Sequence, residues 1–184
     1  MVAELPRLLD PDDLLDMPDG DNYELIDGVL VEKEMGARAS MIAMSLGAML
    51  YNFVKLHRLG HVFDADAGYV CFPNHPKTVH KPDYSFVARG RFPGNSIPNG
   101  HITFAPDLAI EVISPENRYE EIDDKLALYR SAGVRLVWVV VPSTQKAYIY
   151  RANGTLDEVG PDGSLSGEDV IPGFSCRIAE IFEE

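Results

Sequence analysis

Cysteine is scarce: Cys71 and Cys176 are the only two in 184 residues. They sit far apart with no partner pattern, which excludes a disulfide framework and a cysteine zinc site and makes a reducing cytoplasm the expected compartment. Long apolar runs are missing as well. The longest, Leu136 to Val141, is far shorter than a membrane span, so no membrane partner is expected. The opening stretch MVAELPRLLDPDDLLD is acidic and broken by prolines, unlike a secretory signal or an arginine-rich transit peptide. Positive charge is also in short supply: 16 Lys and Arg against 29 Asp and Glu leave a net charge of −13, an unfavourable total for approaching nucleic acid. No phosphate-cradling Gly-rich loop, nucleophile elbow or dinucleotide fingerprint occurs. Kinase, NAD-dependent and serine-hydrolase chemistry therefore lose their main support.

What is present fits one α/β domain. The chain is 46% hydrophobic and 24% charged, enough for a full core, and no internal repeat or Gly/Ser linker divides it. Residues 1–21 read as a mobile acidic arm and residues 22–184 as the domain. Charge is distributed unevenly, with −9 over residues 1–34, +4 over residues 35–106 and −8 over residues 107–184. A solvated acidic surface and a basic middle face surrounded by acids both fit that distribution.

Tyr23–Asp27 and Gly28–Glu32 read as two short strands around an Asp-Gly turn. A helix is predicted over 40–59, closed by Gly60. Ile42, Leu46, Met49 and Phe53 form one apolar stripe of it, and Met41, Met44, Ala48 and Tyr51 a second. The second stripe fits either another subunit or a deep core position. Strands are predicted over 62–64, 68–72, 83–87, 108–113, 134–141 and 146–151, with a long loop over 89–106. A helix begins at Ser114-Pro115 and ends at Gly133, and IPGFSCRIAEIF reads as an edge strand and a terminal amphipathic segment. Strand, helix, strand in that order predicts a parallel pair within a mixed sheet flanked by helices.

The informative oddity is charge where burial is predicted. Glu111 lies inside the apolar run AIEVI, and a lone buried carboxylate is costly unless neutralised, paired or given a metal. Asp107, Ala109 and Glu111 share one strand face, where the small Ala109 leaves room for two carboxylates to converge on a cation. A salt bridge at a strand end is the alternative. Asp83, held by Pro82 at a strand start, adds a third carboxylate at the sheet edge. On the helix RYEEIDDKLALYRSAG, the buried stripe is Ile122, Leu126 and Tyr129, with Lys125 about 60° from its centre. From there the amine either snorkels to solvent or reaches over the strand end toward Glu111. Glu24 could supply one more carboxylate, and His75 and His80, flanking the loop before Asp83, could meet a phosphate. His57 and His61 have metal-like spacing but no third ligand.

Together YELIDG, KPDYSFV, PDLAIEVISPENRYEEIDDKLALYRSAGVRLVWVV and IPGF resemble the Uma-type family, a restriction-endonuclease-like branch of the PD-(D/E)XK nuclease superfamily. The resemblance runs from about residue 22 to the end. It implies a four- or five-stranded mixed, restriction-endonuclease-like core sheet flanked by helices, and a Mg²⁺-dependent phosphodiesterase site, with Mn²⁺ as a substitute. Asp83 and Glu111 match the two acids of the superfamily, and Lys125 matches its lysine, moved onto the following helix. Asp107 matches a further acidic position and Glu24 a helper glutamate, and the Val112 carbonyl would join Asp83, Glu111 and Asp107 as a metal ligand. Arg38-Ala-Ser40 stands where many relatives carry a His, and Leu136-Val-Trp138 where many have Glu-Tyr-Trp. The implied partner is nucleic acid, specifically DNA, and cutting both strands implies a homodimer. The alternative is a nuclease fold that has lost catalysis and serves as a DNA-binding or assembly protein; in a further reading, Lys125 merely struts the carboxylates.

Overall fold

The computed structural model describes residues 8–33, 35–114 and 119–183. Among them the order is α1 (Pro11–Asp16), β1 (Tyr23–Ile26), β2 (Val29–Glu32), α2 (Ala37–His57), β3 (Gly60–Asp64), β4 (Tyr84–Ala88), β5 (Leu108–Val112), α3 (Tyr119–Ala132), β6 (Leu136–Val141), β7 (Lys146–Arg151), β8 (Leu156–Val159), β9 (Ser164–Ser166), β10 (Ser175–Arg177) and α4 (Ile178–Phe182). Strands β3 to β8 form one six-stranded sheet in sequence order. Only β5 and β6 pair parallel, joined through α3. The expected mixed α/β architecture forms, with six strands in the central sheet instead of four or five, because β7 and β8 extend it by antiparallel pairing beyond β6.

Alternation along the central strands builds two cores. Leu108, Ile110 and Val112 of β5 face α2 and α4 with Phe86, Leu136, Trp138 and Val140. Ala109 of β5 joins Val137 and Val139 on the opposite side, under Leu126 and Tyr129 of α3. Helix α2 is long and apolar enough to cross a membrane, yet Ile42, Leu46 and Leu50 are completely buried against the sheet. Its second stripe is open: Met41, Met44 and Tyr51 are all exposed.

Asp27 and Gly28, at φ 50° and 87°, make the turn of the β1–β2 hairpin with the mirror-image geometry that matches strand twist. Leu25 exchanges both backbone hydrogen bonds with Val79, which fixes the hairpin to the segment leading into Asp83.

Several expectations are corrected. The arm is docked from Leu8 onward: α1 buries Leu14 with Leu25 and Val79, and Leu9 N–H donates to the Gly28 carbonyl. Leu9 and Leu14 in that acidic stretch supply the apolar surface that holds it down. Gly60 does not close α2, because Arg58 takes the left-handed cap at φ 55°. Gly60 opens β3 instead, where a Cβ would lie 2.1 Å from the Val87 carbonyl oxygen. Residues 68–72 form no strand; Tyr69 alone bridges to His80 and Ile102. The predicted helix start at Pro115 falls outside the described residues.

Candidate active site

Antiparallel pairing of β4 with β5 sets Tyr84 against Ile110 and Ser85 against Ala109. One step further along that register, Asp83 faces Glu111. Two like charges opposite each other repel, and the fold holds them there with directed contacts. The Val112 N–H donates to Asp83 Oδ2 at 2.7 Å. Tyr129 Oη donates to Glu111 Oε1. Lys125, one turn earlier on α3, places Nζ 2.9 Å from Glu111 Oε2 and 3.9 Å from Glu24 Oε2.

Glu24 reaches this group from the hairpin. Its Oε1 lies 2.6 Å from His80 Nδ1 and accepts the Lys81 N–H, also at 2.6 Å. Burial works against its charge, but His80, then Lys125 and Lys33, outweigh that and hold the carboxyl well below the usual range. An ionised carboxylate only accepts, so the ring nitrogen is the donor. Asp83 behaves oppositely: burial first and the Glu111 charge second push it up to about 6, against the Val112 N–H and the Lys33 and Lys125 charges. Burial also opposes the Lys125 charge, but Glu111 and Glu24 together keep its ammonium above the ordinary lysine range.

These side chains line a cavity of about 540 Å³, which Lys33, Met35, Ser114 and Glu121 also border. Lys33 Nζ ties the end of β2 to the Lys81 and Ala65 carbonyls. Asp83, Glu111, Lys125, Glu24 and Val112 thus meet in one place.

Asp107 does not join them. It shares a face with Glu111, but four residues of strand put it about 13 Å away. Ala109 between them is completely buried in the core that holds Tyr69 and Tyr129, so packed side chains fill the gap expected for a cation. Asp107 Oδ2 instead accepts the Ala88 N–H at 2.8 Å and pairs with Arg91 at 3.0 Å, with Arg135 3.7 Å from Oδ1. Asp107→Ala is therefore expected to lower stability by about 1–3 kcal/mol, because a buried acceptor is lost from half-exposed arginines and a backbone donor. Thermal denaturation should show it as a fall of about 2–4 °C per kcal/mol, with the catalytic rate of the folded protein unchanged.

The basic middle segment is partly neutralised within the fold. Besides Arg91, Lys77 pairs with Asp10, and the buried Lys81 donates to the Gly20 and Asp21 carbonyls. His57 lies against Phe53 in a tilted contact and His61 meets Phe92 edge to face, so the two histidines belong to different contacts. His75 pairs with Asp27 in the hairpin turn. The sequence reading missed the parts of Tyr129 and Lys33 and mistook that of His80. Tyr129 carried a usable signal, since a buried phenol needs a polar partner.

A mixed sheet that presents two facing acids and a lysine at one cavity is the arrangement that the restriction-endonuclease-like resemblance implies. Residues 11–179 match the family model Uma2, described as "Putative restriction endonuclease", and the chain belongs to that family. In fold it is similar to a protein described as "a putative nuclease belonging to DUF820" from Anabaena variabilis ATCC 29413, at TM-score 0.78 and 22% identity over 95% of this chain and 97% of that one. No curated protein matches.

Proposed function

We propose that this protein is a Mg²⁺-dependent endonuclease that hydrolyses phosphodiester bonds in DNA. The observation that carries the reading is Asp83 facing Glu111 across β4 and β5 with the Lys125 ammonium 2.9 Å from the latter. Among the described residues no three His, Cys, Asp or Glu side chains form a metal cage. Two carboxylates at an open cavity nevertheless suit Mg²⁺, which keeps several waters and is typically held by one or two acids plus substrate phosphate. Burial first and the Glu111 charge second raise Asp83, and a divalent cation would relieve that repulsion. Asp83 and Glu111 would hold the ion with the Val112 carbonyl, and Mn²⁺ would substitute. When bound, the ion supplies charge neutralisation at the phosphoryl oxygens and an acidified water.

The chain's own groups do the rest. Lys125 orients the attacking water and meets the charge that develops on the phosphoryl oxygens, as a compact ammonium can. Glu24 holds that ammonium from its other side. Arg38, exposed on the first turn of α2, would meet the phosphate backbone. The open Met41, Met44, Ala48 and Tyr51 stripe of α2 supports a homodimer, which brings two sites to a duplex.

Nicking of supercoiled plasmid in Mg²⁺ or Mn²⁺ tests the reading. Glu111→Gln should lower the rate by at least about 10²-fold, and calorimetric titration with Mn²⁺ should show saturable binding that this variant lacks. Cleavage unaffected by the substitution would remove the site. A strut formed by Lys125 and the acids predicts no saturable binding at all, and an RNA substrate would show as cleavage of RNA but not plasmid.

A further inference from the structure

Two buried aromatic side chains hold the acids that grip Lys125. Glu111 and Glu24 are bound in the same way: each has one oxygen occupied by a buried donor and the other turned to the ammonium. Tyr129 Oη takes Glu111 Oε1, leaving Oε2 for Lys125 at 2.9 Å. His80 Nδ1 takes Glu24 Oε1 at 2.6 Å, leaving Oε2 3.9 Å from the same nitrogen. The two donors are also packed on each other, with ring centroids 5.5 Å apart and planes 19° from parallel. Both are essentially inaccessible, Tyr129 at 1% and His80 at 1% exposure. His80 Nε2 has no hydrogen-bond partner among the described residues, so the ring's polar contact is spent on Glu24.

We propose that His80 and Tyr129 act as one positioning unit, a stacked pair that fixes the rotamers of Glu24 and Glu111 and so the location of the Lys125 ammonium. Neither ring touches a reacting atom. Their value lies in geometry: a carboxylate with one oxygen tied down cannot swing, and neighbours that orient such groups typically contribute 10- to 100-fold in metal affinity or activity. A purely apolar role would be served equally well by Phe at both positions, without the two directed bonds. The Lys81 N–H, also on Glu24 Oε1, makes Glu24 the better anchored of the two acids. Loss of the Tyr129 hydroxyl is therefore the larger perturbation.

The unit rests on the proposed nuclease reading for its purpose but not for its existence, and the two are tested apart. In metal-free protein labelled with ¹⁵N-lysine, the Lys125 ammonium should give a slowly exchanging proton resonance, identified by its loss in Lys125→Arg. Tyr129→Phe, which keeps the stack, should speed its exchange about 10-fold or more. His80→Phe should do so less, and His80→Asn, which retains a donor near the Nδ1 position, should recover most of the protection. Unchanged exchange in both Phe variants, with thermal denaturation confirming that they fold, overturns the positioning unit. A parallel Mn²⁺ titration reads the function: saturable binding weakened about 10- to 100-fold in Tyr129→Phe joins the unit to the metal site. If wild type binds no Mn²⁺, the nuclease reading falls while the exchange data still decide the unit.

Discussion

Lys125→Ala is expected to reduce phosphodiester cleavage by about 10²–10³-fold, the usual consequence of removing one preorganised charge from a reacting centre. The same substitution should destabilise the metal-free protein by about 1–3 kcal/mol. The figure sits below that for breaking a fully buried pair because the lysine side chain is 26% exposed and partly screened. Its origin is specific: the ammonium is the counter-charge for Glu111 and Glu24, and without it three carboxylates face one another around the cavity. A divalent cation should then replace part of what was lost. Added Mn²⁺ is expected to raise the melting temperature of Lys125→Ala more than that of wild type, since ligand-linked stabilisation is larger where the apo state is more strained. Lys125→Arg should recover stability but little activity, because a planar fork does not reproduce a point charge at 2.9 Å from one oxygen. Wild-type cleavage in Lys125→Ala, or an equal Mn²⁺ shift in both proteins, would refute this assignment.

The parts of the fold set by local pattern were readable from the sequence. The Asp27-Gly28 turn, the doubly apolar strands on either side of α3 and the stripe Ile122, Leu126, Tyr129 all follow from periodicity and turn chemistry, and each occurs as expected. The shoulder position of Lys125 was readable too, but its angle from that stripe left both solvent and the end of β5 open to the amine. What failed to show was set by long-range packing. Arg58 rather than Gly60 caps α2, because the glycine is needed where β3 runs hard against β4. Asp107 and Glu111 share a face by alternation, but alternation does not say how far apart on that face they work. Nor does it say that a guanidinium from the 89–106 loop claims the first of them.

Side-chain partners were the least legible. Burial of Tyr129 follows from its place on the helix, yet helical spacing reports only which way a ring faces, not where its hydroxyl ends. His80 lies in an irregular segment whose only ladder contacts are single bridges, so no period marks it as buried. Its contact with Glu24 joins residues 56 apart, through the Leu25–Val79 bonds. The site is therefore half a matter of sequence-local placement and half a matter of how the hairpin docks.

Asp83→Asn should make the metal-free protein more stable at neutral pH while eliminating its activity. The carboxyl of Asp83 is pushed up to about 6, from 3.8, by burial and then by Glu111. The folded state thus binds this proton more tightly than the unfolded state does. Stability that a protonated Asp83 supplies is complete below about pH 4 and is lost as pH rises toward 6. At roughly 1.4 kcal/mol per unit, the loss is on the order of 2–3 kcal/mol above pH 6. An amide has no such charge to bury, and its oxygen can still accept the Val112 N–H, so Asp83→Asn should gain about 1–3 kcal/mol at pH 7.5. The difference between variant and wild type isolates this group from other carboxylates titrating in the same window: it should be near zero at pH 4 and grow to its full size by pH 7. Divalent ions should reverse the order, because they bind the anionic wild-type pair and release its proton. Chemical denaturation at pH 4, 5.5 and 7.5, with and without Mn²⁺, measures every term. A difference that stays flat with pH would show that Asp83 and Glu111 do not share the strained environment on which the metal site depends.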